Sequence, residues 1–134
     1  MLISTRGRYA LRFMVDLAEN QGEEGFITTK ELADRQEVSQ KYAERLMASL
    51  SRSKFVDTQH GKGGGYRLGR SPEEYRVSDI LTAMDEELAP VACLTCDPNQ
   101  CKRAETCRTL PMWQKLGNMI TDFFDGITLA DLMK

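Results

Sequence analysis

The chain has 134 residues, 41% of them hydrophobic, and a net charge of −2. That length points to one domain with a respectable core, and the near-neutral charge excludes general stickiness to polyanions. No stretch approaches the roughly 18 apolar residues of a membrane helix, and charges interrupt the opening "MLISTRGRYALRFMVDLAENQ" where a signal peptide needs an apolar run, so a soluble cytoplasmic protein with no membrane partner is expected.

The charge is uneven. Residues 1–70 balance at +3 and include the only histidine, His60, whereas residues 71–134 balance at −5. The asymmetry points to an anionic partner for the first half.

Residues 5–20 read as a helix with Tyr9, Phe13, Met14, Leu17 and Ala18 on one apolar face, ended by "GEEG". Thr28 and Glu31 then form a capping box that starts a short helix. Ser39 caps another, "QKYAERLMASLSRS", whose apolar face is Tyr42, Leu46 and Leu50 flanked by Ala43 and Met47. Ala33 sits where the two helices approach closely, Val38 plugs the turn, and Glu37 stands where many such turns have glycine. The segment "FVDTQHGKGGGYRLG" changes to a period of two around a glycine-rich tip, a β-hairpin. Ser71, Pro72 and Glu74 open the next helical segment, and "VSDILTAMD" buries Val77, Ile80, Leu81 and Met84. Pro90 leads into a loop with every cysteine of the chain. Last comes the longest amphipathic helix, "PMWQKLGNMITDFFDG", with Met112, Leu116, Met119 and Phe123 stepping by four, three and four beside Ile120 and Phe124. Such a seam on a small protein fits a homodimer interface. Gly126 can end that helix, and Thr128 starts a final turn.

Two helices joined by a tight turn and followed by a basic hairpin make a winged helix-turn-helix. The fold class is therefore mainly α with a small β-hairpin wing and a long C-terminal dimerisation helix. The divisions are 1–88 for DNA binding, 89–110 for the cysteine loop and 111–134 for dimerisation and the final turn. In the major groove the second helix offers Ser39, Gln40, Lys41, Tyr42 and Arg45; glutamine can read adenine and arginine guanine in a bidentate way. Glu44 can accept from cytosine but repels phosphate. His60, Gly61 and Lys62 form the wing tip, offered to phosphate or the minor groove. Thr28 joins this surface. The partner is double-stranded DNA. "GKGGG" is no nucleotide phosphate loop, because the lysine is not followed by serine or threonine and a strand comes next.

Cys93, Cys96, Cys101 and Cys107 have the spacing C-x2-C-x4-C-x5-C. In a reducing cytosol such a cluster points to a metal rather than to disulfides. Zinc would close a tetrahedral four-thiolate site; an iron–sulfur cluster uses the same ligands. Spacing leaves the two open. No nucleophile–base pair stands out, and an enzyme is not expected.

The residues "GRYAL" at 7–11, "VSQKYAERL" at 38–46, "GGGYRLGR" at 63–70, "VSDILTAMDE" at 77–86 and "ITLADL" at 127–132 carry a nearly end-to-end resemblance to the IscR-like, Rrf-type family of bacterial iron–sulfur transcription regulators. The resemblance implies a winged-helix homodimer with a [2Fe–2S] cluster in the loop before the long helix, loaded by iron–sulfur assembly machinery. It implies that Arg6, Arg8 and Tyr9 contact the DNA backbone. Cys93, Cys101 and Cys107 match the three family cysteines. The best-known members place a histidine ligand three residues after the last cysteine, where this chain has Leu110, with Trp113 in place; Cys96 is the natural substitute. The function implied is a DNA-binding transcription regulator whose cluster senses iron–sulfur or redox status. Alternatives are a [4Fe–4S] cluster, a zinc-stabilised DNA-binding protein without a sensing role, a cluster-free regulator of cysteine metabolism, and a small electron carrier, which the wing argues against.

Overall fold

Serine, threonine and acid residues at helix starts set most of the element boundaries. In the computed structural model, which describes residues 2–23 and 25–134, the Ser4 side chain accepts the Gly7 N–H and α1 runs over Thr5–Asn20, the span its apolar spacing predicts. Ala10, Phe13, Met14 and Leu17 are fully buried, with Tyr9 and Ala18 at the edge of the core. The helix stops just before "GEEG", where the Gln21 N–H donates back to Leu17; Glu24 of that run lies outside the described residues.

The Thr28–Glu31 capping box opens α2, Thr29–Gln36, as expected. Ser39 caps α3, Gln40–Arg52, which buries Ala43, Leu46, Met47, Ser49 and Leu50. Between the two helices Glu37 takes the left-handed conformation, φ 55° and ψ 46°, at the position where glycine is usual. The Val38 N–H donates to the Ala33 carbonyl at 3.1 Å, which tightens the turn.

Strands β1, Val56–Gln59, and β2, Gly65–Leu68, pair antiparallel from Val56 opposite Leu68 to Gln59 opposite Gly65. This is the expected wing. It is stitched to the segment before α2 by reciprocal Ile27–Tyr66 backbone hydrogen bonds of 2.8 Å. Gly65 has φ 147°, and a Cβ there would collide with the Ile27 carbonyl, so this close approach requires glycine. Tyr75, fully buried, ties down the wing's base: its hydroxyl donates to the Phe55 carbonyl at 2.6 Å and accepts the Gly69 and Arg70 N–H groups at 3.1 Å.

A 3-10 turn at Pro72–Glu74 precedes α4, Val77–Ala83, and the predicted Val77, Ile80, Leu81 and Met84 are all buried. After the cysteine loop, α5 spans Leu110–Asp125, and of its residues Leu110 alone is buried. Gly126 caps α5 with φ −84°, so the helix ends there without the left-handed turn expected of a terminating glycine. The Thr128–Asp131 box opens α6, Leu129–Leu132. Leu129 is fully buried and its N–H donates to Tyr75 at 2.9 Å, so the final turn returns to the core formed by the first helices.

Candidate nucleic-acid interface and cysteine loop

One face of α3 stays in solvent. Gln40, Lys41, Glu44, Arg45, Ala48 and Arg52 are exposed on it, with Ser39 exposed at its cap. The helix is held from behind by its buried apolar residues, so these side chains project from a fixed rod. Adjacent residues on a helix point about 100° apart. Glu44 and Arg45 accordingly line two different recesses, one on each flank of α3.

The first recess lies between α3 and the wing. Thr28, Thr29, Thr58, Gln59, His60, Gly61, Gly64 and Tyr66 line it with Glu44. The structure therefore brings the predicted Thr28, His60 and Gly61 together beside α3. Lys62 is exposed at the same tip. Thr29, at the start of α2, and Thr58 and Gln59, on β1, are not distinguished by the sequence; for the last two the available signal is their place on the strand that leads into the basic tip. Thr28 also anchors the Glu31 carboxylate, whose pKa is pulled below its ordinary value by the Thr28 backbone N–H and then by its hydroxyl.

The second recess lies between α3 and the start of α1. Arg6, Tyr42, Arg45, Leu46, Ala48, Ser49 and Arg52 line it. Arg8 folds back onto its own helix start, with its guanidinium 3.4 Å from the Ser4 carbonyl and 3.1 Å from the Thr5 hydroxyl. Tyr9 meets Tyr42 edge-on with ring centroids 5.9 Å apart, and the Arg12 guanidinium lies 4.7 Å over the Tyr9 ring. The Tyr42 hydroxyl is buried and has no partner among the described residues. Both tyrosines thus join α1 to α3, in keeping with their places on the apolar faces of the two helices.

The start of α1 is also gripped from α4's far end. Glu86 accepts the Ser4 N–H at 3.2 Å with each carboxylate oxygen, as well as the Ser4 hydroxyl. A Cβ on Gly7 would collide with that carboxylate, so glycine permits the approach. Next to it, Asp85 lies 3.5 Å from Arg6. The root of the cysteine loop is therefore fastened to the helix that flanks α3.

Further along, the loop has little to hold it. Residues 92–94 form a 3-10 turn, and each hydrogen bond recorded for residues 92–107 reaches no further than three positions along the chain. All four cysteines are free; Cys93 and Cys107 are half-buried, Cys96 and Cys101 exposed. Among the described residues no three of the histidine, cysteine or acid side chains are close enough to hold a metal ion. The donor set still fits an iron–sulfur cluster or zinc in kind, being four accessible soft ligands. The Cys107 thiol is biased toward the thiolate by the Thr109 hydroxyl, 3.4 Å from its sulfur, and by the Thr109 backbone. Leu110, in the place of the family histidine, is buried at the start of α5 and anchors that helix.

The family model described as an iron-dependent transcriptional regulator, Rrf2, matches residues 3–134. The transcriptional regulator IscR of Aliivibrio salmonicida is 35% identical over 99% of this chain and 77% of its own length. Among solved structures, CymR, the global cysteine regulator of B. subtilis, superposes with a TM-score of 0.79 at 30% identity, over 98% of this chain and 95% of that one. IscR of T. potens superposes with a TM-score of 0.74 at 32% identity, over 98% and 85%.

Proposed function

The chain belongs to the Rrf2 family of DNA-binding transcription regulators, proteins that are not enzymes; on that premise we propose that it acts as a homodimer whose cysteine loop carries an iron–sulfur cluster that tunes promoter binding. The observation that carries this reading is the placement of four free thiols on one loop between α4 and the exposed face of α5. A loop whose recorded hydrogen bonds are all local is one whose shape a bound group can set. When bound, the cluster would supply a labile, redox-active centre. Cys93, Cys96, Cys101 and Cys107 would hold it, with Cys96 in the role of the absent histidine. A [2Fe–2S] form follows the family pattern.

Of the chain's own residues, Ser39, Gln40, Lys41 and Arg45 are the ones α3 presents to base edges and groove walls. Gln40 and Arg45 have the donor patterns for adenine and guanine. His60, Gly61 and Lys62 offer the wing tip to the backbone or minor groove. Arg6 and Arg8 stand at the start of α1, on the flank of the same face. Exposed Met112, Leu116, Met119 and Phe123 would pair with a second copy. Two copies place two α3 helices on one duplex.

A second reading, a cluster-free regulator of cysteine metabolism, is favoured by the likeness to CymR. Anaerobic purification separates the two. The cluster reading expects coloured protein with iron and acid-labile sulfide in stoichiometric amounts, and loss of colour in Cys93→Ala, Cys101→Ala and Cys107→Ala. Cys96→Ala should lose most of the cluster as well, and Leu110→His in that background should restore it. Colourless, iron-free protein after anaerobic reconstitution would refute the cluster reading; stoichiometric zinc would replace it with a structural site.

A further inference from the structure

The recess between α1 and α3 has more positive charge than packing requires. Arg6, Arg45 and Arg52 line it around a cavity of about 410 Å³. The buried Ser49 hydroxyl accepts from Arg6 and from Arg52, each at 3.1 Å, and donates to the Arg45 carbonyl at 3.2 Å. A hydroxyl has one donor and two acceptor positions, so Ser49 is saturated, and it has no charge to give. Two guanidiniums therefore converge on a neutral acceptor, with a third lining the same cavity. The one ion pair that any of the three makes among the described residues is Arg6 with Asp85 at 3.5 Å, and the Asp85 side chain is 86% exposed. Water screens that pair. Most N–H donors of the three guanidiniums are left without a protein acceptor.

We propose that this recess binds one phosphate of the DNA backbone, that Arg52 is one of its clamps, and that Asp85 competes with that phosphate for Arg6. The proposal deepens the DNA-binding reading and rests on it. Lys41, Arg45, Ala48 and Arg52 follow one another by four, three and four positions, a single exposed stripe of α3. Arg52 stands about 10 Å beyond Arg45 along the helix, at 1.5 Å per residue. With the N-terminal end of α3 in a major groove roughly 12 Å wide, that distance brings Arg52 from the bases to the groove wall, where phosphates stand. Ala48 between them keeps the approach open. A phosphodiester presents two anionic oxygens, which matches guanidinium forks better than a point cation.

Asp85 gives the site a second property. It has φ 60° and precedes Glu86, whose carboxylate caps α1 through Ser4. The root of the cysteine loop thus sets an anion against the same guanidinium that a DNA phosphate would use. Any rearrangement that withdraws Asp85 leaves Arg6 free for DNA.

The test uses the full chain, a mixed-sequence duplex and a preferred duplex obtained by in vitro selection, with affinity followed across a salt series. Arg52→Ala should bind both duplexes about tenfold more weakly, the scale of one charge-assisted contact. Its log K against log salt should be flatter by about 0.9, the slope of one lost phosphate contact. Arg52→Lys should recover part of both, and keeps the question answerable if Arg52→Ala melts early. Asp85→Asn should bind about two- to threefold more tightly, the scale of an exposed ion pair. That gain should vanish in an Arg6→Gln background, because it acts through Arg6. Unchanged affinity and slope in the folded Arg52 variants would overturn the clamp. A gain from Asp85→Asn that persists without Arg6 would overturn the competition and leave only general charge. If the unaltered protein binds neither duplex, the DNA-binding reading fails first, and the proposal with it.

Discussion

Helices α1 and α5 each have 16 residues and an apolar stripe, yet they end in opposite situations. In α1 the stripe Ala10, Phe13, Met14 and Leu17 is fully buried. In α5 the stripe Met112, Leu116, Met119 and Phe123 is 53%, 38%, 60% and 62% exposed. Helical periodicity says that a face wants burial and is silent on what will bury it. α1 sits against α2, α3 and α4 on its apolar side, whereas α5 packs on α4 and the 92–94 turn and leaves this stripe uncovered. The proposed dimer would cover this face, whose coiled-coil-like spacing suits another copy of itself.

The largest expected effect splits the two helices cleanly. Leu17→Ala should lower unfolding stability by about 2–5 kcal/mol, because a fully buried leucine leaves a cavity, and should leave the association state alone. Leu116→Glu should do the reverse: light scattering should show a monomer, while the thermal transition of the core stays close to that of the parent. Loss of the linked second half-site should weaken DNA binding by at least about a hundredfold. A parent protein that is monomeric at micromolar concentration, or a Leu116→Glu dimer, would end the claim that α5 is completed by a second copy.

A smaller effect tests what α1 contributes beside its apolar face. Asp16 is buried, and its carboxylate accepts from Arg35 at 2.6 Å and from Gln36 at 2.8 Å, tying α1 to the end of α2. Arg35 is 37% exposed on its side chain, so the cost of breaking the pair is reduced by solvent. Asp16→Ala should destabilise by about 2–3 kcal/mol, below the loss for a fully buried pair. In an Arg35→Ala background most of that loss should disappear, which denaturant titration of the double-mutant cycle would show.

The two regions were also unequally legible from sequence. Each capping box was readable because both partners lie within four positions, as in Thr28 with Glu31 and Ser71 with Glu74. The α1 face was readable because one helical period describes it. Asp16 was not, since its partners are 19 and 20 positions away. Tyr75 escaped for the same reason: its hydroxyl acts 20 positions back, on Phe55. On the functional surface, the exposed start of α3 and the wing tip followed from motif order. Ser49 and Arg52 did not, because their meaning comes from Arg6, which is 43 positions from Ser49. The cysteines show the opposite limit. Their spacing was plain, but spacing is a statement about donor types and leaves zinc and an iron–sulfur cluster equally open.

The smallest effect concerns a local conflict inside the well-packed region. Glu37 holds φ 55° at the junction of α2 and α3, and a residue with a Cβ is less stable there than glycine by about 1–2 kcal/mol. Its side chain is exposed and records no hydrogen bond or ion pair among the described residues, so little is lost by removing it. The backbone hydrogen bond that ends α2 remains available to glycine. Against the gain stands the greater freedom of glycine in the unfolded chain, worth roughly 0.5–1 kcal/mol. Glu37→Gly should therefore raise stability by about 0.5 kcal/mol, read as a higher melting temperature without DNA and without change in association state. Glu37→Ala provides the control, since it removes the same side chain and keeps the strained backbone; it should gain nothing. Equal gains in both variants would mean that the acid group itself is unfavourable there, and that the turn carries no backbone strain worth relieving.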